Sequence, residues 1–180
     1  MKKLYKYILL LTIVLTVSCK KESVQSYIVE SKEKQEFLSL DVPKDIIQLK
    51  LDNASDEDKE AYNSLRKVNL VMLPYKNTDE ATYQSEKKKI KEILNKSSYT
   101  RLLNLKKDGM NVVVYYSGEA EAIDEIVALG YGKNIGVGLA RVLGDNMNPS
   151  RIMNMMKNAD IGTDKIDLSQ FKMVLDSKNQ

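Results

Sequence analysis

The reactive side chains of this 180-residue chain are few, and their types narrow the chemistry that it can perform. Histidine is absent, and Cys19 is the only cysteine. Without imidazole, neither the Ser-His-Asp and Cys-His arrangements of nucleophilic catalysis nor a histidine-ligated metal site can be built. A single cysteine also allows no disulfide within the chain, so apolar packing must hold the fold together.

Four carboxylates that lie close together in the sequence are the remaining candidates for catalysis: Glu119, Glu121, Asp124 and Glu125. Paired carboxylates can act as acid and base in glycoside hydrolysis. A solvated turn followed by a polar strand edge explains the same residues, and tryptophan, a common platform for sugars, is absent. We therefore expect no catalytic residues, and keep a small carboxylate-dependent hydrolase of the cell envelope as the alternative.

Other residue patterns that could bind a cofactor or a metal fail on spacing. Gly130, Gly132, Gly136 and Gly138 match neither the dinucleotide fingerprint nor the phosphate loop. The methionines near residue 153 have the spacing of core residues on a helix, and the aspartates from Asp160 to Asp167 lack the order of an EF-hand. We expect no cofactor and no metal.

Cys19 stands at the end of a segment that is typical of an export signal. Three lysines at the start precede an apolar run of about eleven residues, Tyr7 to Val17, which is too short for the ~20 residues that span a bilayer. Small Ser18 then precedes the cysteine, and this arrangement resembles the lipobox of bacterial lipoproteins. It predicts a signal peptide over 1–18, a lipid on Cys19, and membrane attachment in the cell envelope, at the outer rather than the inner membrane.

The charge balance argues against a nucleic-acid partner. The chain has 28 Lys+Arg against 25 Asp+Glu, but three of the lysines lie in residues 1–18, which contain no acid. The remainder has 25 of each, without the basic excess that binding to phosphates requires.

The polar segment that follows the cysteine shows no lasting apolar period, so we interpret residues 19–35 as the lipidated cysteine and a flexible tether.

Residues 36–176 have the pattern of one α+β domain. A strand is expected near Leu38–Val42, a short helix after Pro43, a helix from Ser55, a buried strand over 67–75 and a helix from about Asn77 to Lys96. Asp108-Gly109 between two β-rich runs predicts a hairpin, and a second pair of strands follows over 123–143. Closing helices are expected after Pro149 and from Asp167, the latter with Leu168, Phe171 and Leu175 inward. Together, these elements predict an α+β fold: an antiparallel sheet of about five strands in a β-meander, with helices mainly on one face.

Several segments together resemble a known family: FLSLDVPKDIIQLKL, KVNLVMLPY, RLLNLKKDGMNVVVYYSGEAEAIDEIVALGY and NIGVGLARVLGDNMNPSRIMNMMKN. They are similar to the domain of unknown function catalogued as family 4252. This resemblance implies a small exported protein of Bacteroidetes, frequently lipidated, with a strand, a helix, a long β-meander and a closing helix. It implies no active residues.

A non-catalytic binding or signalling module of the envelope is the function that these observations favour. Tyr115, Tyr116 and Tyr131 are the expected contact residues and should rim an exposed sheet face or edge, because tyrosine is common in protein interfaces and tolerates partial exposure. The expected partner, besides the membrane, is another envelope protein. The same tyrosines could equally cover the sheet without binding anything.

Overall fold

The computed structural model describes residues 22–46, 48–49, 54–96, 98–107, 109–120, 122–158 and 161–162. Four helices are present in these ranges: α1 (Val24–Lys32), α2 (Asp56–Ser64), α3 (Glu80–Lys96) and α4 (Pro149–Asn158). The strands are β1 (Leu38–Pro43), β2 (Gln48–Leu49), β3 (Leu65–Pro74), β4 (Thr100–Lys107), β5 (Met110–Glu119), β6 (Ala122–Gly132), β7 (Gly136–Met147) and β8 (Ile161–Gly162).

Six of the strands form one antiparallel sheet in the order β1-β3-β7-β6-β5-β4, and β2 pairs with β8 in a separate two-stranded sheet. The meander runs from β4 to β7, as the two hairpin signals predict, and Gly109 takes the positive φ of 76° that the first turn needs. The predicted antiparallel α+β fold is therefore confirmed, with six strands where about five were expected.

Helices α1 and α3 pack on one face of the sheet, which we call the helix-covered face. Their buried side chains meet those of the central strands in one apolar cluster: Val24, Tyr27, Ile28, Tyr83, Ile90, Ile93 and Leu94 with Val71, Leu73, Val127, Leu129, Val137 and Leu139. Helices α2 and α4 form a second cluster at one end of the sheet, against partly buried Tyr116, Ile126 and Val142. These three residues belong to the opposite face, so the helices cover one face well and the other only at its end.

Side chains that accept hydrogen bonds from the first-turn amides mark where the helices begin. Ser55 accepts a hydrogen bond from the Asp58 amide at α2, and the two residues form a capping box as predicted. At α3 the cap is Asp79, whose Oδ1 accepts from the Thr82 amide at 2.8 Å, rather than Asn77. The short helix expected after Pro43 is a single 3₁₀ turn, Lys44–Ile46. The helix expected from Asp167 lies outside the described residues.

The predicted tether is wrong for residues 24–32, which form α1. Ser23 and Ser26 make a capping box, with the Ser26 amide donating to the Ser23 hydroxyl at 3.1 Å. Tyr27 and Ile28 are each only 2% exposed, and both belong to the core beneath the helix-covered face. The folded domain therefore begins by Ser23, and three residues separate Cys19 from it.

Replacing a buried residue of α1 tests whether the helix is part of the cooperative fold. Ile28→Ala removes apolar contacts and should lower the free energy of unfolding by about 2–5 kcal/mol in urea denaturation. The neighbouring Val29 is 46% exposed, so Val29→Ala should change stability by less than about 0.5 kcal/mol. Equal stability of the two variants would mean that this segment is a tether after all.

Candidate functional site: an open apolar sheet face

The sheet face opposite α1 and α3 is apolar over two complete rows of paired residues. One row is Leu38, Met72, Gly138, Gly130, Val112 and Leu105; the next is Leu40, Leu70, Ala140, Ala128, Val114 and Leu103. Neither of the two buried apolar clusters includes any of these side chains. We call these two rows the open face.

The open face differs from the helix-covered face of the same strands in exposure. On β3 and β7, the alternate residues Val71, Leu73, Val137 and Leu139 are at most 1% exposed. Their neighbours in the two rows are half-buried, and Leu105 at the β4 edge is 59% exposed. Alternation along each strand thus places apolar residues on both faces, although the described helices cover only one of them along its length.

Side-chain size gives the open face the shape of a trough. The two central strands, β7 and β6, contribute only Gly138, Ala140, Gly130 and Ala128 to the rows, whereas leucine, methionine and valine stand on the strands at either side. The floor lies between β3 and β5, which are three strand spacings or about 14 Å apart. We call this depression the apolar trough.

Gly130, in the floor of the trough, has open space above it. No heavy atom lies within 4 Å of the position that a Cβ atom would take there, and its φ is not in the left-handed region. Neither local packing nor backbone conformation in this structure requires a glycine at this position. A glycine there keeps the floor low, which allows another group to approach the sheet closely.

Charge is absent from the trough and its walls, because none of the residues in the two rows is ionisable. Such a surface offers a ligand apolar contact and little else. It suits an apolar side chain or helix rather than a phosphate, a sugar or a metal ion.

The three tyrosines predicted to form a contact surface lie on both sides of the sheet. Tyr115 and Tyr131 are on the helix-covered face, where they pack against the main core. The Lys91 ammonium lies 4.5 Å from the centre of the Tyr131 ring. Tyr116 is on the opposite face, beside the cluster of α2 and α4. The expectation that they rim one surface is wrong, since adjacent residues of a strand point to opposite faces.

The three candidate carboxylates in the described part of the chain differ in burial and in partners. Glu125 pairs with Arg141, whose Nε lies 2.5 Å from Glu125 Oε1. The two side chains are 13% and 11% exposed. Arg141 also donates to Gln25 of α1. Asp124 and Glu119 are exposed, and Glu121 lies outside the described residues. Glu125 is thus engaged in holding α1 to the sheet.

A polar cavity of about 420 Å³ opens beside this ion pair, lined among others by Glu22, Lys96, Tyr99, Ser117, Glu125 and Arg141. Burial raises the pKa of Tyr99, and the nearby Glu125 carboxylate raises it further. The phenol therefore stays protonated at neutral pH and can donate a hydrogen bond. The described residues include no group of three acidic or thiol side chains placed to hold a metal ion.

The Arg141–Glu125 pair should show strong coupling in a double-mutant cycle. Arg141→Met leaves a nearly buried carboxylate without its partner and should cost about 3 kcal/mol of unfolding free energy. Adding Glu125→Leu removes the stranded charge and should recover most of that loss. Chemical denaturation of the wild type, both single variants and the double variant measures the coupling. Additive effects would show that the pair contributes only through independent packing.

Cys19 lies outside the described residues, so its predicted lipidation stays a prediction. None of the helices in the described part of the chain has the length and apolar character needed to cross a bilayer.

The trough itself was not predicted from the sequence, although a signal for it was present. In β3 and in the β6–β7 pair, apolar residues occupy both phases of the two-residue period. In β3 alone this pattern supports the prediction of a buried strand over 67–75, because a strand buried on both faces is apolar in both phases. The second signal was the small size of alternate residues, Ala128 and Gly130 on β6 and Gly138 and Ala140 on β7.

Fold and surface together define the class: an α+β domain with a six-stranded antiparallel sheet, helices over one face, and an apolar trough in the other. A family model described as Domain of unknown function (DUF4252) matches residues 21–155. The chain belongs to this family. No curated protein and no solved structure matches the chain. The match includes α1, in agreement with a domain that begins before Val24, and it includes both walls and the floor of the trough.

Proposed function

We propose that this chain is a lipid-anchored protein of the bacterial cell envelope that binds a protein partner and performs no catalysis itself. The observation that carries the binding role is the open face. Each residue of its two rows occupies about 4.8 Å by 7 Å of the sheet, so the open face has a footprint of about 400 Å², the size of the largest apolar patch on a typical soluble monomer. Patches of this size are often interaction sites.

The shape of the trough favours an amphipathic α-helix as the part of the partner that binds. A helix with its side chains is about 10 Å across, which fits between walls about 14 Å apart. Its apolar side would contact the walls and its backbone could approach the floor of glycine and alanine. Binding of a helix in an apolar groove is a common mode of peptide recognition.

Filling the trough should abolish partner binding without unfolding the domain. A photo-crosslinking amino acid at Leu40, on the wall, should give a discrete adduct with a partner protein in intact cells. Gly130→Leu should reduce that adduct at least several-fold, because the new side chain occupies the floor. Its Cβ meets no atom within 4 Å, so the thermal unfolding midpoint should stay close to that of the wild type.

The matched control places the same crosslinker at Lys88 of α3, which is 78% exposed on the other side of the sheet. It should give no adduct that depends on Gly130. An adduct at Leu40 that persists unchanged in Gly130→Leu, or one that appears equally from Lys88, would refute binding in the trough.

The lipid anchor has a separate test. Two or three acyl chains on Cys19, at about 0.8 kcal/mol per buried CH₂, would attach the protein durably to a membrane. Cys19→Ser should therefore move it from the membrane fraction to the soluble fraction and abolish incorporation of labelled palmitate. Ser18→Ala, which keeps a small residue before the cysteine, should leave both unchanged. If Cys19→Ser still fractionates with membranes and takes up palmitate, lipidation at this residue is wrong.

A further inference from the structure

We infer that the edge strand β4 binds an extended segment of a partner protein as an additional strand of the sheet, and that apolar and acidic residues alternate in this segment. β4 is the last strand in the order of the sheet, so the described residues pair it on one side only, with β5. An edge strand presents backbone N–H and C=O groups on its other side, and these can pair with a further strand. This surface is separate from the trough and goes beyond the binding role proposed there.

Exposure distinguishes β4 from the other edge strand of the sheet, β1. On β4, Leu102 is 39% exposed and Leu105 is 59% exposed. At the other edge, β1 ends at Pro43, which has no backbone N–H to donate, and its Asp41 carboxylate pairs with Lys32 of α1. Within the described part of the chain, β4 is therefore the more accessible of the two edges.

Positive charge is concentrated on β4, whose sequence TRLLNLKK contains three cations and no acid. Arg101 and Lys106 lie on the helix-covered face, opposite Tyr115 and Asn111 of β5. Neither cation has an acidic partner among the described residues. Acidic residues on the same side of an added strand would lie about 5 Å from them, and opposite charges in such cross-strand positions stabilise pairing.

The other side of β4 is apolar. Leu103 and Leu105 lie opposite Val114 and Val112 and end the two rows of the open face. An apolar residue of the added strand beside each leucine would remove part of it from water. Because successive residues of a strand point to opposite faces, the partner segment must alternate between apolar and acidic residues.

The charge of β4 also decides against a second copy of this chain as the added strand. Two antiparallel β4 strands would place cations beside cations, and like charges in cross-strand positions are destabilising. Lysines and bulges on an edge strand commonly prevent such self-association, and the register of β4 shifts between Arg101 and Leu103. Repulsion of this kind rejects a like-charged strand but not an acidic one. The edge therefore favours an acidic partner over a second copy.

A synthetic peptide tests the inference directly. A labelled peptide of alternating glutamate and valine that matches β4 in length should bind the full chain carrying Cys19→Ser, as measured by fluorescence anisotropy. Two further peptides carry N-methyl groups on the glutamate amides or on the valine amides. Only one of these sets points towards β4 in an antiparallel pair, so one peptide should bind at least about tenfold more weakly and the other should bind nearly as well as the parent. Equal affinity of the two methylated peptides would overturn pairing at the edge.

Charge reversal on the strand gives a second measurement. Lys106→Glu should weaken binding of the unmethylated peptide several-fold. The matched control Lys88→Glu makes the same charge change on α3, where the lysine side chain is 78% exposed, and should leave the affinity nearly unchanged. An equal loss in the two variants would show only general attraction between a basic protein surface and an anion, of the kind that an anionic membrane also exerts, and would refute the inference.

Gly130→Leu separates this inference from the proposed function, because it fills the trough and leaves β4 intact. The variant should bind the peptide as the wild type does. A loss of peptide binding in Gly130→Leu would place the peptide in the trough and overturn binding at β4. Peptide binding that depends on Lys106, without a partner adduct at Leu40, would keep the edge as a binding surface and refute the role of the trough.

Discussion

Side-chain alternation along β3, β6 and β7 is the constraint on which the rest of the structure depends. Because successive residues point to opposite faces, a strand that is apolar at nearly every position creates two apolar faces. Helices α1 and α3 bury one of them almost completely. On the other face, α2 and α4 cover only the end near Ile126 and Val142. The open face is thus a direct consequence of strand composition, and the small residues of β6 and β7 turn it into a trough.

The sheet could be predicted from the sequence because its signals are local. Asp108-Gly109 identifies a hairpin, and Pro74 ends β3. Helix α1 was missed even though its own signal is local. Val24, Tyr27, Ile28 and Ser31 follow the helical spacing of three, four and seven, and all four are buried. The many lysines and glutamates around these four residues favoured the interpretation as a solvated tether instead. Four residues at helical spacing are too few to predict a helix unless the sheet that buries them is already known.

The candidate site was harder to predict because it depends on which strands become neighbours. The period of two already places Tyr115 and Tyr116 on opposite faces, so that part of the error was avoidable. The trough, however, also requires β3 beside β7, with Met72 opposite Gly138, and this pairing of strands distant in sequence becomes evident only in the assembled sheet. The burial of Arg141 was hard to predict for the same reason. It depends on Gln25 of α1 and Glu125 of β6, which are distant from Arg141 in the sequence.

Helix α1 also links the proposed anchor to the proposed binding surface. With the domain beginning by Ser23, a lipid on Cys19 would hold the start of α1 within about 14 Å of the membrane. Because α1 packs on the helix-covered face, the anchor would attach on the side of the sheet opposite the trough. The ion pair of Arg141 and Glu125, together with Gln25, holds α1 on that side and so keeps the proposed anchor on the side of the sheet opposite the trough. An anchored domain of this kind would be held near the membrane through one face while the other remains available to a helix.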